Sequence, residues 1–204
     1  MSEGKIKRYL RYSKYICQWL LTEKVRGLDF TMRDTSLINQ TGGVFHGYSK
    51  TDEAHAKLIF DTLGVSNQMK LLDIGCGKGA FLREAAKQPF GEIAGLEYVP
   101  ALADTAKRNF KRLRLSDRIK IYTGDATNFK KYGEYNVFYF FNPFNAEIMG
   151  EVIDRITDEN VKKKWIILHN PVCADVIEAH GGKEIHRLYD KVKSYETVIY
   201  VMEN

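Results

Sequence analysis

No apolar stretch in the sequence approaches the roughly 18 residues that a helix needs to cross a bilayer, which excludes a helical membrane span. Cysteine is scarce. Cys17, Cys76 and Cys173 are odd in number and far apart, with no C-x-x-C pair, so neither a disulfide framework nor a zinc site is indicated. The five histidines show no H-E-x-x-H or other metal-ligand spacing. The opening MSEGKIKRYLRYSKY has neither the apolar centre nor the cleavage site of a secretory signal, so a cytoplasmic protein is expected.

What is present is an ordinary globular composition: 204 residues, 44% apolar and 28% charged. That length suits one hydrophobic core with an appendage. The division expected is an N-terminal helical extension over 1–48 and a core domain over 49–204. Net charge is +5, and residues 1–26 hold all of the excess, with seven basic and two acidic residues, leaving 24 of each sign in the remainder. Ile6, Leu10, Cys17 and Leu20 fall on one helical face of that segment, with cations and tyrosines on the rest. Two readings stay open: a basic helix docked on the domain, or a contact with an anionic partner such as nucleic acid or a membrane surface.

From residue 49 the chain alternates helical and strand patterns. Ser49 and Asp52 suggest a helix start, with Gly64 just past its end; Met69 to Ile74 reads as the first strand, and Gly79 to Lys87 as a helix stopped by Pro89. A second unit follows: strand Glu92 to Glu97, then a helix opened by Pro100, whose outer face carries Lys107, Arg108, Lys111, Arg112 and Arg114 and reads as a solvated surface. Arg118 to Thr123, Tyr135 to Phe141 and Trp165 to Leu168 are further strands; Ile148 to Ile156 and Val172 to Ile177 are helices between and after them. Glu184 to Leu188 and Tyr195 to Val201 have no helix between them and should pair antiparallel. The expectation is a doubly wound, seven-stranded, mostly parallel α/β sheet. Ligands in such sheets bind beyond the C-terminal strand ends, here Asp73 to Gly79, Glu97, Asp125 and Asn142.

The run LLDIGCGKGAF at 71–81 satisfies the G-x-G-x-x-G/A fingerprint through Gly75, Gly77 and Ala80, with Glu97 placed to hold a ribose. Those features alone admit a nicotinamide dinucleotide or S-adenosylmethionine. Asp73 before the glycines would repel a pyrophosphate but not a cationic methyl donor. Gly79 and the terminal hairpin point the same way. Each residue also has a plain structural use: positive φ at the glycines, helix capping at Glu97, a turn at Asp125.

Taken together, D-I-G-C-G-K-G at 73–79, the acidic Glu97, G-D-A at 124–126 and N-P-F at 142–144 resemble the successive motifs of class I S-adenosylmethionine-dependent methyltransferases, a Rossmann-like superfamily. The resemblance covers roughly 49–204. It implies that Asp73, Gly75, Gly77 and Gly79 hold the amino-acid part of the donor, Glu97 with neighbouring Tyr98 the ribose end, and Asp125 with Ala126 the adenine. Cys76 falls inside this donor-binding set, its thiol read as a small packing group because no base partner is evident. Asn142-Pro143-Phe144 resembles the N/D-P-P-Y/F/W motif of methyltransferases acting on amino groups, with one proline where that motif has two. The resemblance makes these three the candidate catalytic residues; a strand-to-helix turn, repeated at Asn170-Pro171, is the other reading.

Residues 27–50, rich in Gly, Thr, Ser and Asn, are expected either to link or to fold over the site as a lid, with Tyr48 or Phe45 covering the donor or acceptor. The function expected is methyl transfer to an amino nitrogen of a protein or small molecule. Rivals are a nucleic-acid methyltransferase, an NAD(P)-dependent oxidoreductase, and a non-catalytic S-adenosylmethionine-binding interaction domain. The acceptor and the oligomeric state are not legible.

Overall fold

A computed structural model describes residues 19–31, 50–191 and 194–203. Seven strands form one sheet: β1 (Lys70–Ile74), β2 (Glu92–Glu97), β3 (Ile119–Thr123), β4 (Val137–Phe141), β5 (Lys163–His169), β6 (Lys183–Asp190) and β7 (Tyr195–Glu203). Their spatial order is β3-β2-β1-β4-β5-β7-β6. β1 to β5 are mutually parallel, and β7 enters antiparallel between β5 and β6. This is the doubly wound, seven-stranded sheet expected, with the antiparallel pair at its end.

Helices α1 (Glu53–Leu63), α2 (Ala80–Ala85), α3 (Pro100–Leu113), α4 (Ala146–Asp158) and α5 (Ala174–Ala179) cover it. The N-cap of α1 is Asp52, whose carboxylate accepts from the Ala54 and His55 amides, and Gly64 closes the helix in the left-handed conformation. Asp52 thus does the capping that a Ser49–Asp52 box would share; Ser49 lies outside the described residues. Pro100 opens α3 as expected, because its missing N–H and fixed φ cost nothing at that position.

Alternation in the central strands splits the core into two layers. Leu71, Ile93, Val137 and Ile167 face α1, α2 and α3 with Phe60, Phe81 and Phe110. Leu72, Ala94, Phe138 and Ile166 face α4 and α5 with Met149, Val152 and Ile177. Each such Leu, Ile or Phe, fully buried, contributes roughly 1.5–3 kcal/mol. A one-residue slip in register would exchange the two layers.

The first layer also takes Leu28 and Phe30 from the N-terminal segment. Glu23, buried, accepts from the amides of Phe30 (2.8 Å) and Thr31 (3.0 Å) and from the Thr31 hydroxyl, which bends the chain back onto the domain. Of the apolar face proposed for the first helix, Ile6, Leu10 and Cys17 lie outside the described residues, while Leu20 is 41% exposed. No helix among the described residues is long and apolar enough to cross a membrane.

Candidate active site

Five parallel strands bring their C-terminal ends to one edge. β1 ends there at Asp73-Ile74, and the chain must leave the sheet within a few residues to start α2. It does so through Gly75, Gly77 and Gly79, all at positive φ (81°, 55° and 85°), a region L-residues with a Cβ rarely adopt. Gly75 donates to the Leu96 carbonyl at 2.8 Å, laying the turn across the end of β2. Gly79 is also packed under Phe110, whose ring occupies the space a Cβ would need.

Glu97, the last residue of β2, is 6% exposed and holds the turn from the side. Its Oε2 accepts from Gly77 N and its Oε1 from Val99 N, both at 2.8 Å. The same carboxylate therefore fixes the glycine turn and the entry to α3. Each oxygen retains a second lone-pair direction for a ligand hydroxyl. Burial pushes its carboxyl above the ordinary value, and the amides of Val99, Gly77 and Tyr98 oppose that rise.

Asp73 is 3% exposed and makes no ion pair among the described residues. Burial drives its carboxyl well above the usual carboxylate range, and the charge of Glu97 drives it further. Two buried acids beside a glycine turn favour a ligand with positive charge. Thus the donor set fits S-adenosylmethionine, a sulfonium with an ammonium group, better than a pyrophosphate.

Beside it, β4 passes through Phe141 into Asn142-Pro143-Phe144. Asn142 is a non-glycine residue at φ 41°, 7% exposed, and its Oδ1 is buried with no hydrogen-bond partner among the described residues. Pro143 lies against the glycine turn, its Cβ 3.0 Å from where a Gly75 Cβ would be. Phe144 turns inward: it is buried, edge-on to Phe140, and its carbonyl receives the Cys173 thiol. The structure thus brings Asn142 and Pro143 to the glycine turn and puts the Phe144 ring in the core.

The other expected residues are placed as follows. Cys76 is a free, buried thiol whose sulfur fills the space beside Gly95. Burial pushes that thiol well above its ordinary pKa, with the charges of Asp73 and Glu97 adding to the rise, which disfavours a nucleophilic thiolate. Tyr98 is 49% exposed beside Glu97. Asp125 caps a short 3-10 turn, its Oδ1 accepting from the Thr127 amide and hydroxyl at 2.9 Å. Ala126 is buried there, and its carbonyl accepts from Tyr132. Tyr48 and Phe45 lie outside the described residues.

Two groupings near the site had no sequence signal. Asn109 of α3 donates to the carbonyls of Asp29 (2.9 Å) and Lys78 (3.2 Å) and accepts from Asp29 N, while Lys78 Nζ pairs with Asp29 at 2.7 Å. The N-terminal segment is thereby fastened to the glycine turn. On the far side, Thr197 Oγ1 lies 2.7 Å from both His55 Nε2 and His169 Nδ1, in a wholly buried polar cluster beneath Phe141. No group of His, Cys, Asp and Glu among the described residues is arranged to hold a metal ion.

Comparison with known proteins bears on this edge. A family model described as a methyltransferase domain matches residues 65–203. A polyamine aminopropyltransferase of Aquifex aeolicus (strain VF5) is 35% identical over 68 residues, amounting to 30% of this chain and 14% of that protein. The chain therefore spans a small part of that relative's length. Among solved structures, an RNA methyltransferase of Salinibacter ruber in complex with S-adenosyl-L-homocysteine superposes with a TM-score of 0.57 at 15% identity, over 76% of this chain and 93% of that one. A SAM-dependent methyltransferase of Aquifex aeolicus gives 0.59 at 12% identity, over 74% and 99%. At these identities the likeness is one of fold.

Proposed function

The chain belongs to the methyltransferase-domain family, and from that premise we propose that it transfers the methyl group of S-adenosylmethionine to an amino nitrogen of a small molecule or protein. When bound, the donor supplies an electrophilic methyl on a sulfonium. Little covalent help is needed for such an in-line displacement; alignment and exclusion of water matter most. Asp73 receives the cationic amino-acid part, the positive-φ glycines let the backbone approach it, and Glu97 accepts from the ribose hydroxyls with its remaining lone pairs. Asp125 and Ala126 border the adenine. The extension over 1–48 forms part of the acceptor side.

The observation that carries the amine reading is the buried, unpartnered Oδ1 of Asn142. An amide oxygen left without a donor costs about 1–3 kcal/mol, a cost removed when an acceptor N–H binds it. Held in this way, an amine presents its lone pair away from the asparagine. The relative named for aminopropyl transfer acts, by its name, on a polyamine, which agrees with an amine acceptor. The basic segment up to Arg26 and the neighbour named an RNA methyltransferase favour nucleic acid as the second reading.

Transfer of tritiated methyl into fractionated cell extract separates these. Label in small amines or protein is expected; label confined to nucleic acid overturns the first reading. Asn142→Ala should lower kcat by 10-fold or more while donor affinity, measured by calorimetry, stays within about twofold. An unchanged kcat would remove Asn142 from the reaction.

A further inference from the structure

A cavity of about 300 Å³ opens between the N-terminal segment and α3, with Trp19, Lys24, Asp29, Thr105, Arg108 and Arg112 among its lining residues. Neither the family's donor site nor the Asn142 edge includes these side chains.

Its charge is positive and unengaged. Lys24, Arg108 and Arg112 form no ion pair among the described residues, and Asp29 is already bonded to Lys78 at 2.7 Å. Arg108 Nη2 donates to Thr105 Oγ1 at 2.7 Å, and that hydroxyl donates in turn to the Ala101 carbonyl at 2.8 Å. The guanidinium is therefore oriented by one bond, with its other N–H donors left over. Arg112 rests against Gly27, where a Cβ would come within 2.8 Å of its Cζ, so the glycine makes room for this arginine. From the opposite wall, the indole Nε1 of Trp19 is buried without a partner among the described residues, and Lys24 Nζ stands 5.8 Å from the centroid of the same ring.

Apart from Asp29 Oδ1, the second oxygen of a carboxylate already paired with Lys78, the unengaged groups among the described residues of this set donate. Such a set is complementary to an oxyanion with more oxygens than a carboxylate offers, and arginines bind phosphate bidentately. The volume lies at the small end of ligand sites, enough for a phosphoryl group and its first substituent. We propose that this cavity binds the phosphoryl group of a phosphate ester. This holds whichever acceptor is methylated, and its test involves no methyl donor.

Trp19 and Trp165 are the two tryptophans, so Trp165→Phe leaves Trp19 as the reporter. Titrating inorganic pyrophosphate into that variant at fixed ionic strength should give a saturable change in Trp19 emission. Adding Arg108→Gln and Arg112→Gln should raise the dissociation constant at least 10-fold, with the unfolding midpoint retained; Lys24→Gln alone should raise it severalfold. Competition then identifies the source. Displacement by a sugar phosphate marks a small phosphate monoester, and displacement by a short single-stranded oligonucleotide marks a phosphodiester backbone. The proposal is overturned if the arginine variants bind pyrophosphate as tightly as the parent, if chloride at matched ionic strength reproduces the signal, or if neither competitor displaces the probe.

Discussion

Glu97 ties the glycine turn to the entry of α3 through its two carboxylate oxygens. Because both oxygens already accept backbone N–H groups, Glu97→Gln must turn an amide N–H toward one of them. An unfolding midpoint lower by several degrees is expected, since one orphaned buried donor costs about 1–3 kcal/mol, and S-adenosylhomocysteine should stabilise the variant less than wild type. Equal stabilisation of both by this ligand would remove the ribose role. Asp73 gives a pH prediction. Its folded-state carboxyl lies well above the ordinary value of 3.8, so its contribution to stability is full below that value and lost as pH rises through the raised one. A cationic donor favours the ionised form. S-adenosylmethionine affinity should therefore rise with pH across that interval, with proton release measurable by calorimetry in buffers of different ionisation enthalpy; proton uptake on binding would contradict it. Both acids were legible because they end strands beside a glycine run. The unpartnered oxygen of Asn142 was not, because a residue's positive φ and its lack of a donor depend on what packs around it.

At the level of elements, strand and helix positions followed closely from period and punctuation: Pro100 opens α3 and Gly64 closes α1 where the pattern placed them. The attachment of the N-terminal segment did not. Asp29 and Asn109 are 80 residues apart, and no local pattern joins them. Phe30 and Leu28 sit in the same core layer as β1, held by Glu23. Deleting residues 1–26 should thus cost stability beyond any loss of acceptor binding, because the buried Phe30 amide loses its acceptor. The deletion is expected to melt several degrees below the full chain, while deletion of 1–18, which keeps Glu23, should lose less. Identical melting of all three chains would show that the segment contributes nothing to the core. Within the turn, Gly79→Ala meets both a left-handed φ and the Phe110 ring, and should destabilise by about 1–3 kcal/mol in urea unfolding.

Across the whole molecule, the sheet order was legible in outline because alternating units allow few arrangements. The histidine cluster that ties α1 to β5 and β7 was not, since His55, His169 and Thr197 come from three separate stretches. Burial holds the His55 imidazole below its ordinary 6.5, with Asp190 and Asp52 partly opposing. Its contribution to stability is present above that value and declines as pH falls below it. Melting temperature should drop between pH 7 and 5, and His55→Gln, which carries no titrating proton, should flatten the drop; an equal slope in both would exclude His55 as its source.

The placement of β7 has a consequence for biosynthesis. Among the described residues β6 pairs only with β7, and β7 supplies the buried Val198, Ile199 and Tyr200 between β5 and β6. Until residues 195–203 leave the ribosome, the edge of β5 is an open template and β6 has no neighbour. Nascent chains arrested before residue 195 should remain protease-sensitive around β5 and recruit chaperones, whereas chains extended past residue 203 by a flexible tether should become resistant in one step.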